Sequence, residues 1–145
     1  MIIISMGFSQ ENIGGAPYSL NNTLSRITPI ITLPLVDTDA LIQEDINSPP
    51  GTPYRYGLRI PGDFSSSYNG VWETLFDGTK IWRLNINSQD AYALSIVFDS
   101  FYLPKGSKLF IFNPDYSIIY GAYTDLNNTT DEVFATPLLI GELTL

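Results

Sequence analysis

Short stretches in which apolar and polar residues alternate dominate the chain from residue 54 onward and predict β-strands. In 80–86, for example, the apolar side chains from Trp82 to Ile86 share one face, and Arg83 and Asn85 lie on the other. Alternation at a period of two places one face of a strand on a core and leaves the opposite face accessible. The predicted strands span 29–35, 54–60, 70–76, 80–86, 92–98, 108–113, 117–124 and 133–145.

Residues that favour turns separate these segments. Asp77-Gly78 between two alternating runs predicts a hairpin, and Pro104-Lys105-Gly106 and Asn113-Pro114-Asp115 predict two more turns. Because no amphipathic helices lie between the strands, a parallel α/β sheet is disfavoured. We therefore predict an all-β fold, an antiparallel β-sandwich of jelly-roll-like form with about eight strands.

The N-terminal part has a different pattern. Residues 1–10 are apolar and then small, which predicts the remnant of a signal peptide, although an ordinary strand fits the same pattern. Residues 11–53 predict an extended segment with a short helix over 37–46, and 54–145 predict the β-sandwich core of a single domain. The strand pattern at 141–145, with no polar tail after it, predicts a fragment of a longer chain.

Composition excludes several classes of function. The net charge of −8, without a basic cluster, disfavours binding to nucleic acids and to anionic membranes. No run of residues approaches the length of about 20 apolar residues that a membrane-spanning helix needs. The chain has neither histidine nor cysteine, so a Ser–His–Asp triad and a thiolate zinc site cannot form. We therefore predict no catalytic residues and no cofactor in this segment.

One loop is a candidate calcium site because it carries several oxygen ligands in a short stretch. The alternative is that these residues simply favour turns, since the loop lacks the spacing of an EF-hand. The candidate ligands are Asp125, Asn127, Asn128, Asp131 and Glu132.

Two tryptophans are relevant to the binding of sugars. Trp72 is a candidate exposed aromatic residue on which a sugar ring could stack, with core packing as the alternative. Trp82 is in phase with Leu84 and Ile86, so we assign it to the core face. A glycan- or surface-binding β-sandwich module is therefore an alternative function.

A series of short motifs in a fixed order runs through nearly the whole chain after residue 15. The order resembles the N-terminal domain that precedes the protease domain in secreted, lysyl-endopeptidase-like, trypsin-like serine proteases of Gram-negative bacteria. The motifs are Gly15-Ala16-Pro17-Tyr18-Ser19, Leu33-Pro34, Asp37, Glu44-Asp45, Pro53-Tyr54-Arg55-Tyr56-Gly57, Gly70-Val71-Trp72, Asp77-Gly78, Ile81-Trp82-Arg83-Leu84, Ser88, Phe98, Phe101, Leu103-Pro104, Gly106, Leu109-Phe110-Ile111-Phe112-Asn113, Gly121-Ala122-Tyr123-Thr124, Asn127-Asn128 and Ala135-Thr136.

The resemblance implies a non-catalytic β-sandwich that is covalently linked to a C-terminal protease domain. It implies roles in assisting the folding, the latency or the export of that protease. It also implies a secreted, periplasmic or cell-surface location in a Gram-negative bacterium. The protease domain itself is not contained in these 145 residues.

Overall fold

The computed structural model describes residues 10–140 and the backbone of 143–144. It contains eleven short strands and one α-helix within that range. Of the predicted signal-peptide remnant only Gln10 is described, and the rest lies outside the described residues. The strands are β1 (Ile30–Thr32), β2 (Val71–Thr74), β3 (Lys80–Arg83), β4 (Asn85–Asn87), β5 (Ala93–Leu94), β6 (Val97–Phe98), β7 (Leu109–Phe112), β8 (Ile119–Tyr123), β9 (Phe134–Ala135), β10 (Leu139–Ile140) and β11 (Leu143–Thr144), and the helix is α1 (Thr38–Ile46).

The largest sheet has five strands in the order β1-β4-β11-β7-β8. Three two-stranded antiparallel pairs accompany it, namely β2–β3, β5–β10 and β6–β9. The all-β class is therefore confirmed. The strand count exceeds the predicted eight because 80–86, 92–98 and 133–145 each contain more than one strand.

One pairing departs from the predicted antiparallel arrangement. β1 runs parallel to β4, with Ile31 opposite Ile86. Its place at the end of the sheet suits its sequence, since Pro29 and Pro34 flank it and proline cannot donate a backbone hydrogen bond. The carbonyl oxygen of Pro29 accepts a hydrogen bond from the Asn85 amide at 2.9 Å, which fixes the register of β1.

The core is formed by residues of the large sheet and of the small strand pairs. The large sheet contributes buried residues such as Ile86 from β4 and Ile111 from β7, and β9 and β10 contribute Phe134 and Leu139. Trp82, Leu94 and Ile96 pack against this cluster, as the alternation predicts. Three phenylalanines reinforce the core, because the rings of Phe101 and Phe134 stack at 4.4 Å and both lie near Phe98.

The predicted hairpin and helix are both present. At the turn between β2 and β3, Gly78 has a φ of +85°, and the Asp77 carboxylate accepts a hydrogen bond from the Thr79 amide at 2.9 Å. Helix α1 begins after Asp37, whose side chain accepts from the Ala40 amide at 2.9 Å as an N-cap. None of the nine residues of α1 is buried, so the helix lies on the outside of the core.

The predicted strand over 54–60 is wrong. The structure assigns no strand to this segment, and the first strand after residue 53 is β2. The side chains of Tyr54 and Tyr56 are exposed to solvent, whereas a strand with this alternation would place them on the core. Arg55 forms ion pairs with Glu44 at 2.9 Å and with Asp45 at 3.2 Å, which hold the segment beside α1.

None of the helices in the described range is long and apolar enough to cross a membrane.

Candidate functional site

Helix α1 and the segment that follows it present a group of uncovered apolar side chains. Tyr54 is 94% exposed and Tyr56 is 88% exposed, and Leu58 is half exposed. Ile42 and Ile46 lie one turn apart on α1 and are also exposed. The ion pairs of Arg55 with α1 bring these two stretches together. We call the five residues Ile42, Ile46, Tyr54, Tyr56 and Leu58 the helix–tyrosine surface.

The segment that carries this surface is only weakly charged. Residues 37–60 contain four acidic and two basic side chains, and two of the acids, Glu44 and Asp45, are paired with Arg55. Uncovered apolar patches mark interaction sites, and tyrosine is enriched at protein–protein interfaces. The surface therefore suits a partner with apolar pockets.

Trp72, the predicted exposed aromatic residue, is 48% exposed on β2. It pairs directly with Trp82 of β3, whose ring packs against the core. The indole N–H of Trp72 donates to the Ser66 carbonyl oxygen at 2.8 Å, and that of Trp82 donates to the Asn69 carbonyl oxygen at 2.7 Å. Both indoles therefore anchor the loop before β2, and only the ring face of Trp72 is left for a ligand.

The candidate calcium loop is organised by hydrogen bonds to its own surroundings. Its first part is a single 3-10 turn, Asp125–Asn127, which the Thr124 side chain caps. The Asn127 side-chain oxygen accepts from the Thr124 amide at 3.0 Å, and an Asp131 oxygen accepts from the Thr129 hydroxyl at 2.6 Å. Asp125 is partly exposed and Glu132 is exposed.

Asn128 connects this loop to a distant segment of the chain. Its side chain accepts from the Leu103 amide and donates to the Leu103 carbonyl oxygen, both at 2.9 Å. It thereby ties the loop to the segment before β7. Among the described residues, no group of three or more His, Cys, Asp or Glu side chains is placed to hold a metal ion. The structure thus gives Asn127 a capping role and Asn128 a bridging role, and calcium binding stays a prediction.

Replacing Asn128 by alanine is expected to lower the free energy of unfolding by about 1–3 kcal/mol, because two backbone groups of Leu103 lose their partner. Asn128→Asp retains the acceptor and is expected to cost less. Urea unfolding measures both variants. Equal stabilities of the wild type and Asn128→Ala would contradict the bridging role, and a melting temperature raised by added calcium would instead support a metal site.

A buried polar cluster connects the N-terminal segment to β2 and β3. Glu73 accepts from the Ser25 amide at 2.8 Å and from the Ser25 hydroxyl at 2.7 Å, and it pairs with Arg83 at 3.0 Å. Arg83 also donates to the Arg26 carbonyl oxygen at 2.7 Å. The side chains of Glu73 and Arg83 are 11% and 12% exposed, so this ion pair is largely withdrawn from water.

The hydrogen bonds from Ser25, and after them the Arg26 amide and the Arg83 charge, hold the pKa of Glu73 below its ordinary value. Hydrogen bonds from Thr79, Ser117 and Thr129 likewise lower the pKa values of Asp77, Asp115 and Asp131, respectively. These four carboxylates favour the folded state only while they are ionised.

We therefore expect the stability of the domain to fall in acid. Because the folded-state pKa of Glu73 is depressed, its contribution is present above the ordinary value of 4.5 and is lost as the pH falls through the folded-state pKa. Urea unfolding between neutral pH and about pH 3 measures the loss. Glu73→Gln should be less stable at neutral pH and should show a shallower acid dependence. An unchanged slope would contradict the assignment.

A small pocket lies beside this cluster, on the face of the large sheet opposite the core. Its volume is about 160 Å³. Ser19 and Thr28 of the N-terminal segment border it, and Arg83, Asn85 and Tyr116 line it together with Phe112 and Pro114. Sequence reasoning did not identify this site, although the alternation in 80–86 placed Arg83 and Asn85 together on the face away from the core.

No protein-family model matches the sequence, and no solved structure matches the chain.

Proposed function

We propose that this chain is a non-catalytic domain that docks onto a second protein domain through the helix–tyrosine surface. The observation that carries the proposal is the nearly complete exposure of Tyr54 and Tyr56, 94% and 88%, on a segment held beside α1 by ion pairs. A rigid aromatic side chain gains much on burial and loses little conformational entropy. The lack of histidine and cysteine in the whole chain supports a binding role over a catalytic one.

We infer that the partner is the trypsin-like serine protease domain expected from the resemblance, joined C-terminally in a protein that is secreted, periplasmic or on the cell surface. A domain that binds the native protease and not its unfolded chain stabilises the native form by mass action. The same contact would assist folding and maintain latency.

We also propose that the fold is a β-sandwich of jelly-roll-like form. Buried residues of the five-stranded sheet form one cluster with those of β9 and β10, and partly buried residues of β5 and β6 pack against this cluster. This arrangement supports a β-sandwich of jelly-roll-like form, with the helix–tyrosine surface outside it. A sandwich would supply a rigid support for the docking segment.

The reading frame of the gene gives the first test, since it should encode a protease domain with His, Asp and Ser after residue 145. The second test is refolding of that protease with and without this chain. The proposal predicts a higher yield of native protease with the chain present, and a lower activity while the two are bound. Equal yields and equal activities would overturn it.

A glycan-binding module is the second candidate function, and the half-exposed ring of Trp72 favours it. Since the indole N–H is already bonded to Ser66, binding there would depend on stacking. Quenching of tryptophan fluorescence by sugars, lost in Trp72→Ala, would support this function. A glycan array without any signal would exclude it.

A further inference from the structure

We propose that the peptide bond between Arg59 and Ile60 is the cleavage site of an endopeptidase that cuts after arginine, and that this cut ends docking. The bond lies directly after the helix–tyrosine surface, since all five residues of that surface precede it in the chain. The effect on docking rests on the proposed function, whereas the cleavage site itself does not.

The backbone around this bond is open to a protease. Residues 53–64 contain no helix or strand, and none of their backbone groups forms a hydrogen bond within the part of the chain that the structure describes. All of these residues are exposed except Ile60, which is partly exposed. A partner that binds a peptide as an added strand pairs with its backbone, so unpaired backbone groups favour such binding. Exposed segments of this kind are preferred sites of proteolytic nicking.

Prolines keep the segment extended without blocking the bond. Pro53 stands before the segment, and Pro61 follows Ile60. A residue that precedes proline is restricted to extended conformations, which applies to Ile60. Ile60 itself has a backbone N–H, so the bond after Arg59 is an ordinary secondary amide. The bond is therefore presented in the extended form that a protease binds.

The side chain of Arg59 is available for recognition. Arg59 is exposed, and its guanidinium forms no ion pair with any described residue. Asp63, the nearest acidic residue in the sequence, accepts a hydrogen bond from the Tyr68 hydroxyl instead. A pocket that selects arginine offers a carboxylate to the guanidinium. Arg59 can enter such a pocket without breaking an existing contact.

The other arginines before β2 are less available. Arg55 shares the open backbone, but its guanidinium is paired with Glu44 and Asp45 and its side chain is 29% exposed. The carbonyl of Arg26, which a protease would have to attack, accepts a hydrogen bond from Arg83 at 2.7 Å. Cleavage at either residue therefore requires existing contacts to break.

The basic residues of the sheet region are held by its secondary structure. Lys80 and Arg83 lie within β3, which is paired with β2. Lys105 lies in the hydrogen-bonded turn before β7, and Lys108 directly precedes that strand. Arg59 is thus the basic residue that combines an open backbone with an unpaired side chain.

Cleavage frees one end of the docking segment. Hydrolysis adds one water molecule, which leaves a carboxylate on Arg59 and an amine on Ile60. The N-terminal piece stays attached, because β1 remains paired with β4 and Ser25 remains bonded to Glu73. The tyrosines, however, are then held only by the ion pairs of Arg55, and ion pairs at a surface are weak. Docking must therefore order a flexible chain end, which costs conformational entropy.

Docking and cleavage exclude each other in this arrangement. A partner on the helix–tyrosine surface covers the segment that the protease must bind. Cleavage therefore consumes the undocked form, and this makes release irreversible by mass action.

The first test is limited proteolysis of the intact chain with trypsin as the probe, with the products identified by mass spectrometry. The first cut is expected after Arg59, about threefold or more faster than after Arg55, whose ion pairs must break. Arg59→Gln should abolish this cut, and Arg55→Gln, the matched control, should leave it as fast as in the wild type or faster. A first cut at another basic residue would overturn the proposal.

The second test compares the intact and the nicked chain in calorimetric titrations with an inactive variant of the proposed protease domain. The nicked chain should bind about tenfold more weakly or worse, because its docking segment must be ordered. An excess of the inactive domain should slow the cut after Arg59. Equal affinities of the two forms would overturn the effect on docking. An intact chain that does not bind would overturn the proposed function, whereas a first cut after Arg59 would still establish the cleavage site.

Discussion

Replacing Gly121 by alanine is expected to destabilise the domain by about 2–6 kcal/mol, which is a large part of the roughly 5–15 kcal/mol that stabilises a typical domain. Gly121 lies in β8 with a φ of +119°, a conformation that an L side chain rarely adopts. A Cβ atom there would overlap the carbonyl oxygen of Leu109 and would lie 3.1 Å from the Cα of Phe110. Both belong to the backbone around β7, which is paired with β8 and cannot easily move.

Gly78→Ala is the matched control for this variant. Gly78 also has a positive φ, +85°, but no atom lies within 4 Å of an added Cβ. Its cost is therefore about 1–2 kcal/mol, from the backbone conformation alone. Thermal unfolding of both variants by circular dichroism measures the difference. Similar melting temperatures for the two variants would contradict the close approach of β7 to Gly121.

Replacing Tyr54 and Tyr56 together by serine is expected to weaken docking to the proposed protease domain by about thirtyfold or more, because tyrosines that act as hot spots of an interface contribute about 2 kcal/mol or more. The stability of the isolated domain should hardly change, since both side chains are almost fully exposed. Calorimetric titration measures the affinity, and urea unfolding measures the stability.

Tyr92→Ser provides the control for the double variant. Tyr92 is 90% exposed but precedes β5, outside the helix–tyrosine surface. It should retain the wild-type affinity. If Tyr92→Ser and the double variant bind equally well, the helix–tyrosine surface is not the docking site.

The features that the sequence predicts best are those determined by neighbouring residues. Asp77-Gly78 forms its hairpin because glycine accepts the positive φ, and Asp37 caps α1 because its side chain reaches the Ala40 amide. The in-phase residues Trp82 and Leu84 contribute to the core. Here local geometry and burial favour the same structure.

Features that depend on distant parts of the chain were predicted less well. The alternation in 54–60 satisfies a strand pattern, but the segment pairs with α1 through Arg55 instead of with another strand. The parallel pairing of β1 with β4 joins segments about fifty residues apart, and no local pattern specifies it. The small pocket beside the Glu73–Arg83 ion pair needs Ser19, Asn85 and Tyr116 to meet, which only the folded chain determines.

Hydrogen–deuterium exchange tests the docking surface most directly. Within the described part of the chain, the backbone amides of residues 54–60 donate no hydrogen bond to another backbone group. These amides should therefore exchange rapidly in the isolated domain. In a protein that also contains the proposed protease domain, docking should slow exchange at 54–60 by about tenfold or more, while the amides of β7 stay protected with and without that domain. Equally rapid exchange at 54–60 in the presence of the protease domain would contradict the account.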